Sequence, residues 1–221
     1  LEFRRVLFRS LGAHDAGHPA ATVTSTLSSL TEAILAKAVE LHVRERGVPP
    51  VPFAWLVTGS VARLEAAPSS DLDSLLAWEG PDDDLDVRRW MRGLAADVLV
   101  TVGACGLVHD DNGVRADDPR FSRSVDAWRQ AVQTWAGDPT ADQADIYLAT
   151  LMDARPVWGH ASWDGVASAV RYAQARGPVR TMLHRVATGH TPPTGFVRDL
   201  VIELLNRIMT GRVPARAFVV G

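Results

Sequence analysis

The chain has 221 residues, 47% of them hydrophobic and 22% charged, with a formal net charge of −3. That is globular composition, long enough to bury a core without disulfides or a structural metal, and its near-neutral balance carries no footprint of nucleic-acid or anionic-membrane binding. The single cysteine, Cys105, excludes an internal disulfide and fits a reducing, cytoplasmic setting, and no apolar run reaches the roughly 18 residues that a membrane span needs.

Residues 1–10 read as a translated sequencing adapter and are set aside from fold reasoning. On that reading the native start is missing, and an upstream regulatory domain with it. Residues 11–26, rich in Gly, Ala, His and Thr, read as a linker. Leu30, Ile34, Ala38 and Leu41 then recur at helical spacing and predict a helix over 27–46, capped by Gly47 and stopped by Pro49-Pro50. Residues 53–58 predict a buried strand that runs into Gly59-Ser60, and a short helix starts within 61–66. Residues 72–78 predict a second strand. Val87, Trp90 or Met91, Leu94 and Val98 predict a helix over 85–102, and residues 103–112 a third strand, followed by a polar loop through Pro119.

From residue 119 the pattern is helical to the end. Val125, Trp128, Val132 and Trp135 share one face; Val179, Met182, Leu183 and Val186 share another, between Pro178 and Gly189. Phe196, Leu200, Leu204 and Ile208 make the strongest stripe. The expected organisation is an adapter-like and linker segment over 1–26, a small α/β unit over 27–118 and a helical bundle over 119–221, the last expected to be cut short. The class is α+β: a small mixed sheet with flanking helices, then the bundle.

Chemistry concentrates in Gly59-Ser60-Val61-Ala62-Arg63-Leu64-Glu65 and, after a short loop, Ser70-Asp71-Leu72-Asp73. A strand ending in Gly-Ser lets backbone approach a phosphate, because glycine has no Cβ to block it. The N–H groups of a following helix start, and the Ser60 hydroxyl, then face the anion. Asp71 and Asp73, two apart on a predicted strand, point to one face. Two such carboxylates repel unless a cation lies between them, and hard oxygens of this kind suit Mg²⁺ held together with substrate phosphates. Two such ions roughly 3.5–4 Å apart activate an attacking oxygen and stabilise a leaving pyrophosphate.

Gly-Ser-x-x-Arg-x-Glu, a spacer and Ser-Asp-x-Asp together resemble the GlnD-like branch of the nucleotidyltransferase superfamily, which includes the protein-PII uridylyltransferases. The chain is more similar still to bacterial nucleotidyltransferase-like proteins often joined to CBS or cyclic-nucleotide-binding domains. The resemblance takes in the Pro-rich lead-in at 49–55, Trp128 to Trp135, the segment Asp153-Ala154-Arg155-Pro156-Val157-Trp158-Gly159, and Pro192-Pro193-Thr194-Gly195-Phe196, so it spans roughly residues 28–221. It departs at Ala66, where the family has Gln after the motif Glu, and at Leu72 and Ser74, where it has Gln and Asn around the second Asp. Those departures leave the nucleotide choice open.

The resemblance implies a transfer of a nucleoside monophosphate from a nucleoside triphosphate, UTP favoured, to an acceptor hydroxyl on a protein. Gly59 and Ser60 hold the phosphates, Arg63 either neutralises them or pairs with Glu65, and Asp71 and Asp73 ligate two Mg²⁺. A third carboxylate that activates the acceptor is Asp153, with Asp110 as the weaker choice.

Blander readings stand beside these. Asp153 and Arg155 serve equally as ion-pair braces, and Trp128 and Trp135 read as core rather than a base-stacking platform. Asp82-Asp83-Asp84 reads as an exposed turn, His109 as surface, and Cys105 as a small buried residue. His14 and His18 sit among glycines and prolines that make a zinc site poor. Two other functions compete with the enzyme: a non-catalytic module that senses a nucleotide, and a nucleotidyltransferase acting on a small molecule such as an antibiotic.

Overall fold

The computed structural model describes residues 19–68, 70–107, 113–140 and 143–189. The chain divides into two compact units, residues 1–182 and 183–221; of the second only residues 183–189 are described, and they are helical. The stripe from Phe196 to Ile208 lies outside the described residues.

Helix α1 is Ala20–Arg46, longer than its apolar spacing indicates. The expected linker is therefore helical over 20–26. Its Ser and Thr hydroxyls fold back on carbonyls a turn earlier, Thr26 Oγ1 on Thr22 O at 2.7 Å and Ser28 Oγ on Thr24 O at 2.9 Å. That bonding keeps a polar run compatible with a helix. Gly47 ends α1 as expected, donating its N–H to Val43 O at 3.0 Å with φ of +88°.

Strand β1 is Phe53–Val57, and the single-turn helix α2 is Gly59–Ala62. Strand β2 is Ser74–Trp78 and helix α3 is Leu85–Ala104. Asp84 caps α3, its carboxylate accepting from Asp86 N at 3.0 Å and Val87 N at 3.1 Å, so the acidic turn is a helix start. The strand expected over 103–112 does not open there: Gly103 and Ala104 close α3, and residues 108–112 lie outside the described ones. The third strand, β3, is Ser122–Ser124, and Ser124 caps helix α4, Val125–Gly137, by accepting from Ala127 N at 3.1 Å. Helix α5, Ala144–Met152, strand β4, Arg155–Gly159, and helices α6, Trp163–Ala175, and α7, Gly177–Gly189, follow.

The four strands form one mixed sheet in the order β3-β2-β1-β4. β1 runs antiparallel to β2 and to β4, and β2 parallel to β3. Side chains alternate between faces along each strand. Phe53, Trp55, Val57, Leu76 and Trp78 enter one core with Leu35 and Val39 of α1 and Met91, Leu94 and Val98 of α3. Ala54, Leu56, Leu75 and Ala77 are buried on the other face, where α4 packs on β2 and Trp128 donates Nε1–H to Leu76 O at 2.9 Å. α5 and α6 pack around α4 on this side. Trp128 and Trp135 are 1% and 8% exposed, so both are core.

Candidate functional site

The pairing of β1 with β2 puts the two sequence motifs side by side. Val57 lies opposite Ser74, and one step further the Thr58 N–H donates to Asp73 O at 3.2 Å. Past Thr58 the chain turns at Gly59 into α2; before Ser74 it is Asp71-Leu72-Asp73. The glycine turn and Asp73 therefore meet at one end of the sheet. β2 begins only at Ser74, so the aspartates precede the strand instead of lying within it. Leu72 is buried in the α1–α3 core and turns its neighbours the other way, leaving Asp71 exposed and Asp73 half-buried.

Gly59 is where backbone conformation and space both demand glycine. Its φ is +64°, and a Cβ there would stand 3.0 Å from Asp73 Oδ2. The other carboxylate oxygen, Asp73 Oδ1, accepts from Val114 N at 3.3 Å, while Val114 O accepts from Ser74 N at 2.9 Å. Val114 thus belongs to the site. Sequence reasoning missed it, because a main-chain contact leaves no mark on residue type.

Helix α2 is a single turn, too short for the dipole expected of a helix start to matter, and Ser60 is half-exposed in it. The end of α2 is closely defined. Arg63 N–H bonds Gly59 O at 3.1 Å, Leu64 N–H bonds Val61 O at 3.1 Å and Glu65 N–H bonds Ser60 O at 2.8 Å. With Leu64 at φ of +62° this is a Schellman motif carrying leucine where glycine is usual.

Arg63 donates to Glu65 Oε2 at 2.9 Å and to the Asp153 carboxylate. The hydrogen bond to Glu65 first, and that to Asp153 after it, hold the guanidinium even more firmly charged than usual. Asp153 follows α5, and α5 is tied to β1 where Thr58 Oγ1 donates to Thr150 O. The structure thus brings Asp153 to the loop after α2 as the partner of Arg63. Arg155 pairs instead with Glu32 of α1 and donates to Ala62 O at 2.9 Å, so Asp153 and Arg155 brace different elements.

Among the described residues no group of three or more His, Cys, Asp and Glu is gathered as a metal centre. What the site offers is the Asp73 carboxylate beside a glycine whose missing Cβ leaves room for it, with the exposed Asp71 two residues earlier. That donor set fits Mg²⁺ bound through one or two carboxylates and completed by substrate phosphates. Cys105 is half-buried at the end of α3. His14, His18, His109 and Asp110 lie outside the described residues.

The family described as Putative nucleotidyltransferase DUF294 matches residues 6–142. The chain belongs to this family. The DUF294 match contains Gly59, Ser60, Arg63, Asp71, Asp73 and Val114, and stops short of α5, Asp153 and β4; it opens inside the adapter-like segment. Membership sets nucleotidyl transfer as the general class of chemistry. No curated protein matches the chain. Among the described residues no helix is long and apolar enough to cross a membrane.

Proposed function

We propose that this DUF294 protein moves a nucleoside monophosphate from a nucleoside triphosphate to an acceptor hydroxyl, in the manner of the protein-PII uridylyltransferases. The observation that carries the reading is the bare Gly59 turn set against Asp73, a Cβ-sized space at 3.0 Å from a carboxylate oxygen. Gly59 and Ser60 take the phosphates against the backbone, and Asp71 and Asp73 hold Mg²⁺. When bound, the two ions neutralise phosphate charge and make the acceptor oxygen more nucleophilic. That oxygen attacks the α-phosphorus; the new P–O bond forms as the bond to the β-phosphate oxygen breaks, and pyrophosphate leaves. The hydroxyl proton passes to Asp153. Arg63 holds Asp153 before substrate arrives, and the triphosphate, the more highly charged anion, draws the guanidinium away. UTP is the favoured donor and a protein tyrosine the favoured acceptor. The helical half shapes the acceptor side, and the setting is cytoplasmic.

A second reading has one observation in its favour: among the described residues no three His, Cys, Asp or Glu side chains are gathered as a metal centre. A site of that kind binds a nucleotide and reports it without transferring it.

Calorimetric titration with UTP, ATP, GTP and CTP, with and without Mg²⁺, tests both. The enzyme reading expects Mg²⁺-dependent binding that disappears in Asp71→Asn/Asp73→Asn while the fold persists, and pyrophosphate release once acceptor is supplied. Binding without pyrophosphate release across a panel of protein and small-molecule acceptors favours the sensor. No binding of any nucleotide sinks both.

A further inference from the structure

A one-turn helix has four carbonyls and no second turn to satisfy them. In α2 three are met by main chain: Gly59 O by Arg63, Ser60 O by Glu65 and Val61 O by Leu64. The fourth, Ala62 O, is met by a side chain from a distant strand, Arg155 Nε at 2.9 Å. The same guanidinium bonds Glu32, and Glu32 lies one helical turn after Ser28, whose hydroxyl accepts from Ala66 N at 3.1 Å. Ser28 and Glu32 thus grip the two ends of the segment 62–66 from one face of α1, with Arg155 as the bridge on one side. That segment carries Arg63, and at its other end it sets the pitch of the turn that begins at Gly59.

We infer that Arg155 is a positioning residue for phosphate recognition: held by Glu32, it fixes the C-terminal end of α2 and so the aim of the Gly59-Ser60 backbone and of Arg63. The inference rests on the nucleotide reading of that site. Arg155 itself touches neither Gly59 nor Asp73 in any bond described above; it acts through Ala62 O. Burial alone does not explain the arrangement. The Arg155 side chain is 38% exposed and that of Glu32 20%, so the pair adds little to stability as an ion pair. A guanidinium that ends a helix through Nε and anchors it to a second element through Nη2 has geometric value instead.

The experiment compares the full chain with Arg155→Lys and Glu32→Gln. Lysine keeps a positive charge for Glu32 and lacks the Nε donor to Ala62 O; glutamine keeps an acceptor for Arg155. Three readouts are taken on each: melting temperature, affinity for MgUTP and for inorganic tripolyphosphate, and amide hydrogen exchange over residues 59–66. Arg155→Lys is expected to melt close to wild type, to weaken both ligands about tenfold and equally, and to speed exchange in 59–66 above all, since small misplacements of positioned groups are costly. Glu32→Gln is expected to stay within about twofold of wild type, because the hydrogen bond survives. Equal loss for both ligands places the effect on phosphates and not on the base. Should Arg155→Lys fold and bind tripolyphosphate as wild type does, the inference is overturned and the pair is only a brace. Should wild type itself bind neither ligand, the nucleotide reading fails, and that outcome is told apart by the wild-type titration alone.

Discussion

Replacement of Gly59 by alanine separates backbone strain from site geometry. At φ of +64° any L-residue pays a left-handed penalty of about 1–2 kcal/mol. For a chain of this size that lowers the melting temperature by roughly 2–8 °C. The added Cβ also lands 3.0 Å from Asp73 Oδ2, tighter than ordinary contact, so the carboxylate must yield by a few tenths of an ångström. It does not yield freely, because Asp73 Oδ1 is bonded to Val114 N at 3.3 Å. On the proposed reading, moving Asp73 disturbs a metal ligand while the methyl group fills the space a phosphate needs. We expect MgUTP affinity to fall by about tenfold or more, equivalent to about 1.4 kcal/mol. Gly47→Ala is the matched control: its φ of +88° strains alanine too, but nothing lies within 4 Å of the added Cβ. Thermal unfolding and calorimetry on both variants give the answer. Both should melt earlier and only Gly59→Ala should lose nucleotide. A Gly59→Ala protein that melts early yet binds MgUTP as wild type does would refute the proposed site; one that melts as wild type does would refute the strain argument.

Two further expectations concern the frame around the site. Trp128→Phe removes the Nε1–H bond to Leu76 O at 2.9 Å and opens a gap beside a residue only 1% exposed. Denaturant unfolding should show a loss of about 2–3 kcal/mol, and a loss under about 0.5 kcal/mol would contradict the role given to that bond. Asp118 is held below the usual carboxylate range, first by its hydrogen bonds from Arg120 against an opposing desolvation. A native carboxylate lowered in this way adds stability above its unfolded pKa and gives it up as pH falls through the folded value. The melting-temperature gap between wild type and Asp118→Asn should be widest near neutral pH and close as pH drops below about 4. A gap constant down to strongly acid pH would show that Arg120 does not act through charge.

What the sequence made legible was whatever depends on local pattern. Alternation around Leu72 and the glycine after an apolar run marked both halves of the candidate site, and apolar spacing found α3 to within two residues of its ends and the buried face of α4. What it hid depends on partners far away. β3 is Ser-Arg-Ser, with no β-forming residue, and is a strand only because it lies parallel against Leu76, Ala77 and Trp78. β4 contains Pro156, which argues against a strand. It is tolerated because β4 is an edge, pairing among the described residues only with β1, and because the register slips between Trp55 and Leu56 opposite it. Gly159 closes β4 where a Cβ would stand 2.3 Å from Phe53 O, a requirement visible only once β1 is alongside. Arg63 offered two partners on paper; the fold supplies Glu65 and adds Asp153 from ninety residues away.

The boundary of the family match sharpens that last point. The matched range, residues 6–142, holds the glycine turn and both aspartates, yet several of the groups that hold this turn in place come after it. Thr150 O receives the Thr58 hydroxyl, Asp153 receives Arg63, and Arg155 caps Ala62 O while its strand covers the free edge of β1. A four-residue helix with a leucine in the left-handed position cannot be expected to keep its shape by local propensity. Its geometry is imposed by α1 on one side and by the α5–β4 segment on the other. The compact unit accordingly runs on to residue 182, well past the matched range. The geometry of the Gly59 turn is therefore a property of the whole unit, and on the proposed nucleotide reading substitutions in the α5–β4 segment should alter nucleotide affinity although none of its residues lies within the family match.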